Sequence, residues 1–324
     1  MSFRLIVTIG PSILGKIDKL KEIYDAGPCI FRLNGAHCSP EQLKIFAGII
    51  RSIIPDADIM IDLPGNKIRT AKFPYPVRFE KNEVITLTSD DFNYRQFPSL
   101  LKKGDQILAN DSTLHFTVCE TRKDSVTLRA HNSGELTGGK GMHAKGICGS
   151  LPFLLQDDLD LIDAAAEVKL PFISLSFVRN AADIKEVKKL LHKRKYNPGI
   201  IAKIETASAV EKLSEILSEV ELCNIDRGDL STDVGLIQLA GHQDRIIKVA
   251  LDAGKSIFLA TQFLKNMELN PIPLIPEIVD LCSSIKKGIS GIQLSEETAV
   301  GRYPLECIKL IWEVYRATEP TLPK

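Results

Sequence analysis

The chain reads as an α/β protein, a (β/α)8 TIM barrel with a small all-β domain inserted after the third strand. Three observations predict this. Short apolar strands alternate with amphipathic helices through most of the 324 residues. Roughly eight such strands can be counted, the number that closes a barrel. Between about Ala71 and Gly149 the helical periodicity gives way to short alternating runs. The expected domains are therefore 1–70 (first part of the barrel), 71–149 (the β insert) and 150–324 (second part of the barrel). A doubly wound open sheet is the alternative, but no G-x-G-x-x-G follows the first strand.

Arg4 to Ile9 is the first strand, and Ile17, Leu20, Ile23 and Tyr24 mark a helix stopping near Gly27. Cys29 to Leu33 is the second strand, ending in the polar residues Arg32, Asn34 and His37. Ser39-Pro40-Glu41-Gln42 predicts a helix start, with Ser39 as N-cap, Pro40 at N1 and Gln42 closing a capping box. Leu43, Phe46, Ile49, Ile50 and Ile53 give that helix its buried face. Asp58 to Asp62 is the third strand. The insert shows alternating runs at Val84–Leu87, Gln106–Ala109, Leu114–Val118 and Val126–Ala130, separated by turn residues. Gly138-Gly139-Lys140-Gly141 reads as a flexible basic loop or as a plain hairpin tip.

The α/β rhythm resumes with a helix on Leu155, Leu159 and Ile162, then a strand Phe172 to Phe177 and a helix on Ile184, Val187, Leu190 and Leu191. Ile200 to Glu205 is the next strand, followed by a helical stripe of Val210, Leu213, Ile216, Leu217 and Val220. Leu222 to Asp226, Ser256 to Ala260 and Gly291 to Leu294 complete the strands, with helices about Leu236–Ala253, Glu277–Lys287 and Pro304–Ala317.

Composition is that of an ordinary globular protein, with 44% hydrophobic and 25% charged residues. Lys+Arg and Asp+Glu both number 41, so no global field draws the chain to nucleic acid or an anionic membrane. Seven scattered cysteines without a C-x-x-C fit reduced thiols better than a disulfide framework or a zinc site. No signal-peptide segment and no bilayer-length apolar run are evident, so a cytoplasmic location is expected.

Polar residues gather where strands end. In order they are Arg32 and Asn34, Asp62, Arg179, Lys203 and Glu205, Asp229, Thr261 and Gln262, and Glu297. In a barrel such ends converge on one face. Lys203 and Glu205, two apart on a strand, project the same way. Alone, that pair reads first as a structural ion pair at a strand end. Glu205 and Asp229 can share a hard divalent cation, Mg2+ or Mn2+. Arg32, Arg69 and Lys203 beside it suit a phosphate, and the Gly228-Asp229 segment can offer backbone N–H groups to an anion. Phosphoryl transfer uses this equipment.

Seven stretches in order then resemble pyruvate kinase over almost the whole chain. They are Thr8-Ile9-Gly10-Pro11-Ser12, Arg32-Leu33-Asn34, Ser176-Phe177-Val178-Arg179-Asn180-Ala181-Ala182-Asp183, Lys203-Ile204-Glu205, Arg227-Gly228-Asp229-Leu230, Ala260-Thr261-Gln262 and Ser295-Glu296-Glu297-Thr298-Ala299. The resemblance implies that Glu205 and Asp229 hold Mg2+ or Mn2+ with phosphoenolpyruvate. It implies that Lys203 stabilises the phosphoryl group in flight and the enolate, and that Arg32 grips the phosphoryl group. Gly228, Asp229 and Thr261 would orient the substrate carboxylate, with Thr261 near the proton route. Asn34, His37, Arg69 and Lys140 would lie near the nucleotide, ADP or ATP. The β insert would be a mobile lid that excludes water.

The departures carry expectations too. Two hydroxyl ligands of the family's K+ site are replaced by Ala36 and Leu63, while Lys67 stands where an ammonium can replace the ion, so K+ is not expected to be required. The chain ends after the last barrel helix, without the family's C-terminal effector domain. Pro273-Leu274-Ile275-Pro276-Glu277 replaces a subunit-contact segment of the family, so the usual tetramer is not expected, and a homodimer is the assembly left open. Gly35 is atypical and is expected to loosen the Arg32 loop. A compact pyruvate kinase is the leading reading. An offshoot using the same metal–enolate site for another acceptor or for C–C chemistry, and a non-catalytic binding protein, are the alternatives.

Overall fold

The computed structural model describes residues 3–14, 17–71, 73, 75–110, 113–144 and 151–319. The chain enters through β1 (Arg4–Thr8), β2 (Cys29–Asn34) and β3 (Ile59–Asp62). Seven strands follow in the insert: β4 (Val77–Phe79), β5 (Val84–Thr88), β6 (Gln106–Ala109), β7 (Leu114–Thr121), β8 (Ser125–Ala130), β9 (Gly134–Leu136) and β10 (Met142–Ala144). The α/β part resumes with β11 (Phe172–Leu175), β12 (Gly199–Ile204), β13 (Leu222–Asp226), β14 (Ser256–Ala260) and β15 (Gly291–Leu294). Strands β1, β2, β3 and β11 to β15 close an eight-stranded barrel in sequence order, and every pair is parallel.

The barrel interior is built in layers with a two-residue period. Ile6, Ile30, Met60, Ile201, Leu222 and Phe258 form one buried apolar cluster, with Phe172 packed against it. Two positions further along the same strands stand Thr8, Arg32, Asp62, Ser174, Lys203 and Asn224, all buried. A step of two keeps a strand's side chains on one face, so an apolar floor lies under a polar layer at the C-terminal ends of the strands. Each floor side chain contributes about 1.5–3 kcal/mol relative to exposure. Gly291 makes room for this floor: a Cβ there would lie 2.0 Å from the Arg4 carbonyl oxygen and 2.4 Å from the Phe258 ring.

Helix starts follow their local chemistry. The helix Pro40–Ile53 has the expected capping box: Ser39 Oγ accepts from Gln42 N at 3.3 Å, and Gln42 Oε1 accepts from Ser39 N at 2.9 Å. Several expected elements differ. Strands end earlier than apolarity suggested, as at Leu175, where Phe177 adopts a left-handed backbone with φ of 55°. The stripe after β12 is two short helices, Ala207–Glu211 and Leu213–Leu217, meeting at Lys212, although its apolar residues are buried as expected. Arg227-Gly228-Asp229 opens a helix, Arg227–Val234. The helix expected from Leu236 begins at Leu239, after a 3-10 turn whose Leu236 and Ile237 are exposed.

The chain divides into two compact units, residues 1–65 with 154–324 and residues 66–153. The expected upper boundary at 149/150 lies outside the described residues. Within the second unit, five strands pair antiparallel in the order β10-β6-β7-β8-β5, and β4 pairs with β9. Its own core includes Phe79, Phe97, Phe116, Val118 and Leu128, with Phe79 edge-on to Phe116 at 5.1 Å. No helix among the described residues is long and apolar enough to cross a membrane.

One buried carboxylate holds both ends of the first unit where the insert is spliced in. Asp158, with no solvent exposure, sits in the first turn of the helix Gln156–Glu167. It accepts from Leu155 N at 2.8 Å, as an N3 acid does, and from Gly65 N at 2.9 Å. Burial pushes this carboxyl up to about 6, against the downward pull of the two amide bonds. An unfolded aspartate titrates near about 3.9. Between these values the folded chain keeps a proton that the unfolded chain has released. The contribution of this group to unfolding free energy therefore falls as pH rises from about 4 to about 6, then levels off. Urea titrations across this range are expected to show that decline in the native chain and its loss in Asp158→Asn.

Candidate active site

The polar layer is a network of charges from separate strands. Lys203 on β12 is buried, and its Nζ lies 3.0 Å from Glu205 Oε2, 3.1 Å from Asp226 Oδ2 and 3.8 Å from Asp62 Oδ2. It also donates to Ser176 Oγ at 3.4 Å. Arg32 on β2 reaches across to β3: Nη2 is 2.7 Å and Nε 2.8 Å from Asp62 Oδ2, while Nη1 donates to Thr8 Oγ1 at 2.8 Å. Thr8 in turn donates to the Leu294 carbonyl at 2.7 Å, tying β1 to β15.

The electrostatics follow from crowding in a dry place. Burial alone would lower the Lys203 ammonium, but Asp62, Glu205, Asp226 and Asp229 outweigh it and hold the group well above its ordinary range. Burial would raise Asp62, but the charges of Lys203 and Arg32 hold it below the usual carboxylate range. Glu205 goes the other way. Burial first, and then the charges of Asp226 and Asp229, push its carboxyl up against the pull of Lys203. Glu205 Oε1 accepts from Phe177 N at 2.7 Å, an amide presented by the left-handed turn after β11.

Asp226 was not among the residues picked out by sequence. Register explains its presence: β12 and β13 pair Lys203 with Asn224 and Ile204 with Ile225, so Glu205 and Asp226 come next, side by side. Asp229 follows in the first turn of the helix Arg227–Val234. One carboxylate oxygen each from Glu205, Asp226 and Asp229 lies within 4.8 Å of the others. Around an ion with metal–oxygen distances of about 2.1 Å, neighbouring and opposite oxygens lie about 3–4.2 Å apart. Among the described residues, Glu205 Oε2 is buried without a hydrogen-bond donor, and the Lys203 ammonium lies 3.0 Å away. An all-oxygen set with such an atom fits a hard divalent cation, Mg2+ or Mn2+.

Thr261 follows β14 in a left-handed conformation, φ 73°, and Gln262 comes next at 55°. Such a backbone costs a β-branched residue about 1–3 kcal/mol and is common at functional turns. Its Oγ1 accepts from Gly228 N at 3.0 Å, and its carbonyl accepts from Arg227 Nη2 at 2.5 Å. Thr261 and Gly228 are thus brought together as expected, but the Gly228 amide is engaged by the threonine. Arg227 also pairs with Asp280 at 2.6 Å and lies 4.0 Å over the Phe263 ring.

The other residues expected at this end divide. Arg179, just before the helix Ala181–Lys193, is gripped by Asp183 in that helix's first turn, with Nη2 2.7 Å from Oδ1. Glu297 is buried and accepts from Ser295 N at 2.9 Å and Leu264 N at 3.4 Å, so it braces loops. Asn34 Oδ1 accepts from Ala36 N at 3.2 Å, capping the turn Gly35–His37, and His37 is exposed. The expectation that Gly35 loosens this loop is corrected. A Cβ at Gly35 would stand 2.7 Å from the Asp62 carbonyl oxygen, 2.8 Å from Leu161 and 2.9 Å from Pro64, so the glycine permits tight packing.

Within the inserted unit, Lys67, Arg69 and Lys140 come together. Arg69 bridges antiparallel to Gly141, Thr70 N donates to the Lys140 carbonyl at 2.8 Å, and a Cβ on Gly141 would meet Lys67 Cε at 2.9 Å. These three basic residues thus lie on neighbouring segments of that unit.

Comparison with known proteins agrees with this arrangement. A family model described as "Pyruvate kinase, barrel domain" matches residues 2–308. The pyruvate kinase of Thermococcus litoralis is 31% identical over 98% of this chain and 69% of its own length. That of Chlamydia muridarum is 30% identical over 98% and 69%, and that of Thermotoga maritima 29% identical over 99% and 72%. A closed parallel barrel, a polar layer at its C-terminal end and similarity along nearly its whole length place this chain in the pyruvate kinase family.

Proposed function

We propose that the chain is a pyruvate kinase-like phosphotransferase, moving the phosphoryl group of phosphoenolpyruvate to ADP and giving pyruvate and ATP. The observation that carries this reading is the Lys203 ammonium, buried among Asp62, Glu205 and Asp226 with Arg32 on the far side of Asp62. Two cations fixed in a water-poor layer suit a phosphoryl group whose charge grows in transfer.

In this reading Glu205 and Asp229 hold Mg2+ or Mn2+, which supplies Lewis-acid neutralisation of substrate oxygens when bound. Arg32, fixed by Asp62 and Thr8, orients the phosphoryl group. As the bond from phosphorus to the enol oxygen breaks and the bond to the terminal ADP oxygen forms, Lys203 stabilises charge on the oxygens between them. The enolate then takes a proton at carbon, on the side where Thr261 stands. Gly228, Asp229 and Thr261 orient the substrate carboxylate. Asn34, His37, Arg69 and Lys140 are the residues this reading assigns to the nucleotide. A homodimer would cover the apolar side chains of Ile272, Leu274, Ile275 and Val279, all exposed in the single chain.

A coupled assay for pyruvate, with phosphoenolpyruvate, ADP and Mn2+, is expected to show turnover. Lys203→Met is expected to lower kcat on the order of 10²–10³-fold or more while Mn2+ still binds, because the ammonium acts on charge that develops in the transition state. An active variant would overturn the assignment. Metal-dependent phosphoenolpyruvate binding without pyruvate formation would point to another acceptor on the same site. Ala36 and the buried Leu63 offer no side-chain oxygen to a monovalent cation, and Lys67 brings its own ammonium. Rates in potassium and tetramethylammonium buffers are expected to match, and strong activation by K+ would contradict this role for Lys67.

A further inference from the structure

We propose that Asp226 is a third carboxylate ligand of the divalent-cation site. The inference rests on the reading of Glu205 and Asp229 as metal ligands and extends it to a residue outside that pair. Asp226 lies next to Glu205 across the β12–β13 register and three residues before Asp229, so strand pairing and one helical turn bring all three together.

Charge supports the assignment. Arg32 sits on Asp62 at 2.7 Å, and Lys203 faces Glu205, Asp226 and Asp229 together. Three carboxylates gathered at one point, two of them buried, crowd negative charge that a divalent cation neutralises. Geometry agrees. The ammonium lies between Glu205 Oε2 and Asp226 Oδ2, at 3.0 and 3.1 Å. These two oxygens, with one from Asp229, would hold a divalent cation, which would neutralise carboxylate charge that Lys203 also faces. Asp226 Oδ1 lies on the Gly228 side, 3.4 Å from where a Gly228 Cβ would stand, so the carboxylate spans from the lysine to the first turn that carries Asp229.

The test uses Mn2+ on the full chain. Affinity is measured by the free-ion electron paramagnetic resonance signal for the native chain, Asp226→Asn, Asp229→Asn and Glu205→Gln. Circular dichroism reports whether each variant is folded. The position of the ion comes from the anomalous signal of native crystals grown with Mn2+, which needs no variant to fold. Asp226→Asn is expected to weaken Mn2+ binding by about 10–100-fold, the loss already typical of groups that only support a ligand. The ion is expected within about 2.0–2.6 Å of an oxygen from each of Glu205, Asp226 and Asp229. Unchanged affinity in folded Asp226→Asn overturns the inference, and so does an ion that leaves Asp226 outside coordination distance. Either result with Glu205 and Asp229 still holding Mn2+ leaves the two-carboxylate reading standing. Absence of Mn2+ from this end of the barrel, with no affinity change in Glu205→Gln, overturns both.

Discussion

The structure turns on one ammonium group placed where water is scarce. Lys203 stands on a strand whose preceding inward residue, Ile201, belongs to the apolar floor, and its charge is balanced by carboxylates from three other positions around the barrel. A lone buried ammonium would lose its proton or unfold its surroundings. Here Asp62, Glu205 and Asp226 keep it charged, and Arg32 in turn keeps Asp62 charged. Removal of the Lys203 ammonium leaves buried carboxylates uncompensated, a loss that typically costs about 3–5 kcal/mol. The barrel tolerates so much charge because closure brings the ends of β2, β3, β12 and β13 together, with no unpaired sheet edge to defend.

Much of this was legible in the sequence, for identifiable reasons. Inward-facing residues change from apolar to polar within two positions, as from Ile201 to Lys203 and from Ile30 to Arg32, and that break marks a strand end. Capping chemistry placed the helix after Ser39 to the residue. Lys203, Glu205, Arg32, Thr261 and Gly228 were found because they interrupt apolar runs or sit beside them.

What was missed needed information that a single strand does not hold. Asp226 ends an apolar run just as Asp62 does, but only the pairing of β12 with β13 sets it beside Glu205. Glu297 carries the same signal as Glu205, yet its oxygens are taken by amides of Ser295 and Leu264. Gly35 looked like a source of looseness because glycine is permissive by itself. Its role depends on Asp62, Pro64 and Leu161, which reach it from other parts of the barrel unit. In the insert, β4, β9 and β10 have three residues each, too few for alternation to show.

Asp158 has a further consequence for how such a chain can be rebuilt. Its two oxygens clasp Gly65, where the polypeptide leaves the barrel unit, and Leu155, where it has just returned. Departure and return are thus pinned to one side chain, and the intervening 66–153 segment has a core of its own. A splice at this clasp can exchange that segment for a short linker or a foreign module while the barrel's hydrogen-bonded ring stays uncut. The same economy makes the junction a natural site for recombination between relatives, since a transplanted module need match only two neighbouring chain ends.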